Sequence, residues 1–139
     1  MNTLVDTSVW SLALRRKPQD LNTVEHCVIG ELTELIKEGR GRMIGLVRQE
    51  ILSGIKSAAQ YEELRLTLRA FPEEPIGTSD YEAAAKASNE CRSKGIVVSI
   101  VDILICQVAL ARHWSIFTTD ADFKNYVRVL PIKLHAPRR

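Results

Sequence analysis

The stretch VVSIVDILIC, Val97–Cys106, constrains this chain more than any other. It sets one carboxylate, Asp102, in an otherwise nearly apolar run, and a buried charge without a partner costs several kcal/mol. The fold must cover the run and still give Asp102 a partner or an outlet. On a helix, Asp102 shares a face with Ile105, Cys106 and Ala109 at spacings of three, four and seven. That face is expected to turn inward, and its small residues let another backbone approach closely.

The rest of the chain alternates short apolar strands with helices. Asn2–Val5 reads as a strand, followed by cap chemistry at Asp6-Thr7-Ser8 and a helix to about Arg16, closed by Pro18. Val24, Val28, Leu32 and Leu35 recur at helical spacing over Asn22–Glu38, with an Asn22/Glu25 capping box and Gly39 as the stop. Met43–Gly45 is expected as a second strand. Leu46–Ser53 reads as a helix, and so does Ser57–Phe71, with Tyr61, Leu64, Leu68 and Phe71 on one face and Pro72 ending it. A helix over Ser79–Lys94 should start with a Ser79/Glu82 capping box and end at Gly95. Val101–His113 reads as a helix, Ser115–Thr118 as a strand, Asp120–Asn125 as a short turn or helix, and Arg128–Leu134 as a last strand broken by Pro131. The tail Pro137–Arg139 is expected to fray. The alternation predicts an α/β class with a central, mainly parallel sheet flanked by helices on both faces.

At 139 residues, one domain over positions 1–139 is the most economical organisation. No window is long and apolar enough to cross a bilayer, and the N-terminal MNTLVDTSVW lacks the basic start of a secretory signal. Cys27, Cys91 and Cys106 are odd in number and widely spaced, which suggests neither a disulfide framework nor a thiolate zinc site and fits a reducing cytoplasm. A net charge of +2 argues against a protein that holds nucleic acid through one large basic surface. The local run Arg15-Arg16-Lys17 could guide RNA phosphates, although a basic run after a helix also suits a solvated helix C-terminus.

Most acids, Glu31, Glu34 and Glu38 among them, occupy what reads as a solvated helix face. Four do not. Asp6 follows the first strand and Asp120 follows the strand SIFTT, so in a parallel sheet both emerge at the carboxyl edge, where open α/β proteins place ligands. Glu50 lies beside the apolar stripe of its helix and should reach a cleft, and Asp102 completes the set. Each also has a plainer reading: Asp6 and Asp120 as helix caps, Asp102 as the far half of a capping box with Ser99, Glu50 as a surface acid. If the four converge, like charges raise one another's pKa and call for a counter-ion. Oxygen ligands with no supporting Cys or His favour Mg²⁺ or Mn²⁺ over zinc, which suits phosphodiester hydrolysis by in-line attack of metal-activated water.

These segments resemble the PIN domain, and within it the VapC toxins of bacterial and archaeal toxin-antitoxin pairs. The resemblance rests on VDTSVW with Asp6 and Ser8, VRQEILSG with Glu50, SIVDILICQVALA with Asp102, and FTTDADF with Thr118, Asp120 and Asp122. It implies a PIN-like α/β/α sandwich, an acidic pocket binding Mg²⁺ or Mn²⁺, and cleavage of RNA. It assigns metal contact to Asp6, Asp102 and Asp120, with Glu50 completing a catalytic quartet. Asp122 would supply a further ligand or support the site, and Ser8 and Thr118 would orient the carboxylates. The resemblance further implies a homodimer and a VapB-like antitoxin that sends a basic side chain toward the acids. Cys106-Gln107 departs from the small alanines more usual on that helix.

Two rivals remain at this level. A non-catalytic PIN-like module would bind RNA or protein without cutting. A phosphoryl-transfer or receiver-like domain would use Asp6 as acceptor, but the former wants an acid where Ser8 stands, and Lys124 is a poor receiver lysine. Trp10 and Trp114 read as core or dimer-contact aromatics, and His26, His113 and His135 as surface or structural residues.

Overall fold

A computed structural model describes residues 1–138 of the chain. Three short strands form one parallel sheet: β1 (Thr3–Val5) lies in the centre, β2 (Gly41–Arg42) on one side and β3 (Ser115–Phe117) on the other. Every residue of β1 and β3 is buried, as in a parallel sheet covered on both faces. The two buried hydroxyls that this places inside, Thr3 and Ser115, satisfy each other at 2.9 Å. Helices α1 (Thr7–Arg15), α2 (Thr23–Lys37), α3 (Gly45–Leu52), α4 (Ala58–Leu68), α5 (Thr78–Ser93), α6 (Ile100–Arg112) and α7 (Phe123–Tyr126) complete an α/β/α sandwich.

The Asn22/Glu25 capping box opens α2, and α2 ends where Gly39 takes a left-handed φ of 69°. Its stripe is narrower than the sequence suggests. Val28, Leu32 and Leu35 are buried, whereas Val24 is 70% exposed. On α4, Leu64 and Leu68 face the core and Tyr61 stays largely outside.

Four boundaries differ from the sequence reading. The second strand is Gly41–Arg42, not Met43–Gly45: Met43 makes one isolated bridge to Glu73, and Gly45 already starts α3. Helix α5 starts at Thr78, with the Gly77 N–H donating to the Asp80 carboxylate, so Ser79/Glu82 is not the cap. Of the expected strand Arg128–Leu134, only Leu134 bridges Ile116. Pro131 removes a ladder donor there, and Leu130 and Ile132 contribute burial instead of pairing. The tail is also tied down as far as Arg138, while Arg139 lies outside the described residues.

That tie corrects the reading of Glu31 as a solvated acid. Glu31 is 4% exposed, and its carboxylate meets His135 Nε2 at 2.6 Å and Arg138 Nε at 3.1 Å. Burial alone would raise its pKa, but hydrogen bonds from His135 and Arg138 outweigh it, and the net shift is downward. The far end of α6 is anchored comparably. Arg112 donates to Asp80 at 2.5 Å, to Glu74 at 2.9 Å and to the Pro75 carbonyl at 2.9 Å.

Trp10 is a core residue packed on Phe71, with ring centroids 5.0 Å apart, and Trp114 is part-buried beneath the Arg42 guanidinium. Among the described residues no helix is long and apolar enough to cross a membrane.

Candidate active site

The site follows from the strand order. Because β1 and β3 are parallel neighbours, their carboxyl ends lie side by side, and the Asp6 N–H donates to the Phe117 carbonyl at 2.9 Å. Asp6 leaves β1 at that edge, and the segment 118–120 leaves β3 beside it.

Asp6 stands at the N-cap position of α1 but makes no side-chain cap hydrogen bond. Instead its Oδ2 accepts two, from Ser8 Oγ at 2.7 Å and from Thr118 Oγ1 at 2.7 Å. Those hydroxyls are held in turn: Ser8 Oγ accepts from the Thr119 N–H and Thr118 Oγ1 from the Asp120 N–H, both at 3.0 Å. The turn after β3 therefore points two amides at two hydroxyls, and the hydroxyls point at one oxygen of Asp6. Asp6 is 4% exposed, so this network is what makes a buried carboxylate tolerable. Its Oδ1 carries no hydrogen bond among the described residues.

Asp102 enters from α6, which packs against β1 and β3. Ser99 caps α6 by accepting the Asp102 N–H at 3.1 Å, while the Asp102 carboxylate takes the Tyr126 hydroxyl on Oδ2 at 2.8 Å. The face below it, Ile105, Cys106 and Ala109, is buried. The apolar run is not buried throughout, since Val97 and Ile100 are 78% and 80% exposed before the helix is under way. Burial pushes the Asp102 pKa from 3.8 up to about 6; the Tyr126 hydrogen bond opposes the rise, and the negative charges of Asp6 and Asp120 add to it.

Asp120 is exposed and does perform a turn role, accepting the Asp122 N–H at 2.9 Å on Oδ1. Asp122 precedes α7 and makes no side-chain cap bond. Glu50 is exposed and not sunk in a cleft; its Oε1 accepts the Thr7 hydroxyl at 2.5 Å, which ties α3 to the residue after Asp6.

Two contributors are absent from the sequence reading. Tyr126 orients Asp102, and its own pKa is raised by burial and by that carboxylate. A signal for it exists: Phe123 and Tyr126 form an i, i+3 aromatic pair, with centroids 5.0 Å apart, that extends the last helix past Asn125. Thr7 was read only as cap chemistry, and nothing local in sequence links it to Glu50.

Among the described residues no three His, Cys, Asp or Glu side chains close around a single point as a ready-made metal cage. The donor set nevertheless suits an oxygen-seeking divalent ion. Its ligands are carboxylates, the charges acting on Asp102 from across the site are like charges, and ions such as Mg²⁺ keep several waters and need few protein oxygens.

The fold is thus an α/β/α sandwich with Asp6 and Asp120 just past the carboxyl ends of two adjacent parallel strands, the edge where open α/β proteins place their ligands. The PIN domain family model matches residues 3–129, and the chain belongs to that family. Its fold is similar to that of FitAcB from Neisseria gonorrhoeae, at a TM-score of 0.75 and 19% identity over 97% of each chain. VapBC-1 from nontypeable Haemophilus influenzae gives 0.72 and 14% over the whole of both chains. VapBC2 from Rickettsia felis, solved with a DNA fragment from its promoter, gives 0.72 and 17% over 97% of this chain and 98% of that one. No curated protein sequence matches significantly.

Proposed function

We propose that the chain is a metal-dependent endoribonuclease of the VapC toxin type, hydrolysing RNA phosphodiester bonds in the cytoplasm. The observation that carries this is Asp102: a half-buried carboxylate whose pKa is raised toward 6 by burial and by two neighbouring acids. A folded protein gains nothing in stability from such an arrangement, so a ligand that repays it is the economical explanation.

In this reading Asp6, Asp102 and Asp120 hold Mg²⁺ or Mn²⁺, Glu50 completes the acidic quartet, and Asp122 supports the site. A divalent ion held there would supply positive charge against the phosphate and would lower the pKa of a water so that hydroxide is available near neutral pH. The chain's own residues do the positioning. Ser8 and Thr118 pin one oxygen of Asp6 and leave the other free of hydrogen bonds among the described residues. Tyr126 fixes the rotamer of Asp102, and Thr7 steadies Glu50. Residues 1–139 act as one domain of this kind, as a homodimer, held in check by a VapB-like antitoxin. The solved relatives VapBC2, VapBC-1 and FitAcB support that last point by their names alone.

The test is cleavage of total RNA by the purified protein with Mg²⁺ or Mn²⁺, with 5′ ends sequenced, comparing the parent with Asp102→Asn. Cleavage by the parent that EDTA silences and Mn²⁺ restores is expected, with the variant inert. Equal cleavage by Asp102→Asn overturns the assignment. RNA binding without cutting by the parent returns the chain to the non-catalytic module.

A further inference from the structure

A cleft of about 610 Å³ lies between α1 and α2. Ser8 and Thr119, both part of the network on Asp6, lie at one end, and Arg15 and Arg16 at the other. Ser8, Ser11, Leu12 and Arg15 follow one another at i, i+3, i+4 and i+7, so a single stripe of α1 forms the floor. Val24 and Val28 of α2 form the opposite wall.

The charges are unevenly committed. Arg16 lies 3.9 Å from Glu25 and donates to the Asp20 carbonyl at 3.4 Å. Glu25, the one acid of the cleft, already accepts the Asn22 N–H in the α2 cap. Arg15 is exposed and has no hydrogen bond or ion pair among the described residues. Two turns of helix, about 10 Å, separate Ser8 from Arg15. A stacked strand carries a phosphate about every 3.4 Å along its axis, so this distance spans two or three of them.

We propose that this cleft is the path of the single-stranded RNA substrate beside the scissile bond, with Arg15 as the positioning residue that holds a phosphate two or three positions away. The assignment rests on the nuclease reading above and deepens it. An acidic centre repels a polyanion, so the strand needs cations where it enters and leaves; Arg15 supplies one on the helix that starts directly after Asp6. The exposed aliphatic Val24 gives the cleft an apolar lip on which a base can rest. A partner helix is the competing occupant, but an exposed guanidinium without an ion pair among the described residues, two helical turns from Ser8, suits a polyanion better.

The test measures binding of a single-stranded RNA of about 12 nucleotides by fluorescence anisotropy across a KCl series. It is done in the Asp102→Asn background so that the RNA survives, with cleavage kinetics run in parallel on the active chain. Arg15→Ala is expected to weaken binding several-fold at low salt and to flatten the plot of log affinity against log salt by about 0.7, the value of one released single-strand phosphate. Arg15→Lys should restore most of the slope. In cleavage the loss should fall on KM far more than on kcat. Val24→Lys, at an exposed position, should steepen the slope and tighten binding, a gain that misfolding cannot produce. An unchanged slope in both Arg15→Ala and Val24→Lys, with RNA bound and cut as by the parent, overturns the cleft assignment alone and leaves the cleft to a partner helix. A parent that neither binds nor cuts RNA overturns the nuclease reading together with it.

Discussion

Asp102→Asn should make the protein more stable, and by an amount that depends on pH. The substitution keeps an acceptor for Tyr126 and nearly the same volume, so it removes little except the charge. The raised pKa means that the folded state binds the Asp102 proton more tightly than the unfolded chain does. The destabilising effect is therefore absent below the ordinary carboxylate value, grows as pH rises from 3.8 to about 6, and is complete at pH 7. A rise of that size corresponds to about 3 kcal/mol. Asp102 is only half-buried, and screening by water reduces this to about 1–2 kcal/mol. For a chain of this length that is roughly a 3–8 °C gain in Tm.

Thermal unfolding of parent and variant in EDTA at pH 4 and pH 7 measures it. The variant should gain at pH 7 and hardly at all at pH 4. Adding Mn²⁺ at pH 7 should narrow the gap from the other side, stabilising the parent and not the variant, since ligand bound only by the folded state raises stability by mass action. A variant that is less stable than the parent at pH 7, or equally shifted at both pH values, would refute the reasoning: Asp102 would then be a structural hydrogen-bonding residue and not a charge held at a cost.

Tyr126→Phe removes the hydrogen bond that lowers the Asp102 pKa, so the acid limb of the cleavage pH profile should move to higher pH, with about 1–2 kcal/mol lost from folding stability by denaturant titration. Asp80→Ala leaves Arg112 short of its closest partner and should cost about 1–3 kcal/mol at pH 7. The Arg112 hydrogen bonds hold the Asp80 pKa down, so the stabilisation exists above the ordinary carboxylate range and is lost as pH falls through the lowered value; the gap between parent and variant should shrink as pH falls below the ordinary carboxylate range. Ile105→Ala, beneath Asp102 and fully buried, should cost about 2–5 kcal/mol at any pH, a control that separates packing from charge.

What could be read from the sequence was what depends on local order. Strand ends, helix phase and the boundaries at Pro18 and Gly39 depend on a few adjacent residues, which is why Asp6 and Asp120 could both be assigned to the carboxyl edge of a parallel sheet. Long-range pairing was not legible. Glu31 sits on a helix in the phase of Glu34 and Glu38, and only the return of the C-terminal segment, 104 residues later, buries it against His135. Tyr126 reaches Asp102 across 24 residues and Thr7 reaches Glu50 across 43, with no periodicity to announce either contact. Val24 failed in the opposite way: its spacing matched the stripe, but the first turn of α2 has no element packed over it, and the side chain is left outside.

The asymmetry between Asp6 and Asp102 suggests how the site divides its labour. The Asp6 carboxylate accepts two hydroxyls on one oxygen, whereas the Asp102 carboxylate accepts one, from Tyr126. Two hydroxyls, themselves fixed by backbone amides, hold one oxygen of Asp6 in place. Asp102 is held by an apolar helix that offers it little, so its affinity for positive charge is correspondingly greater. If a divalent ion binds as proposed, Asp6 is the ligand already held in place and Asp102 the carboxylate whose charge the ion would compensate. The apolar run around Asp102 and the hydroxyls around Asp6 are then complementary devices: the second makes a buried carboxylate tolerable in the fold, and the first leaves a carboxylate whose charge is held at a cost.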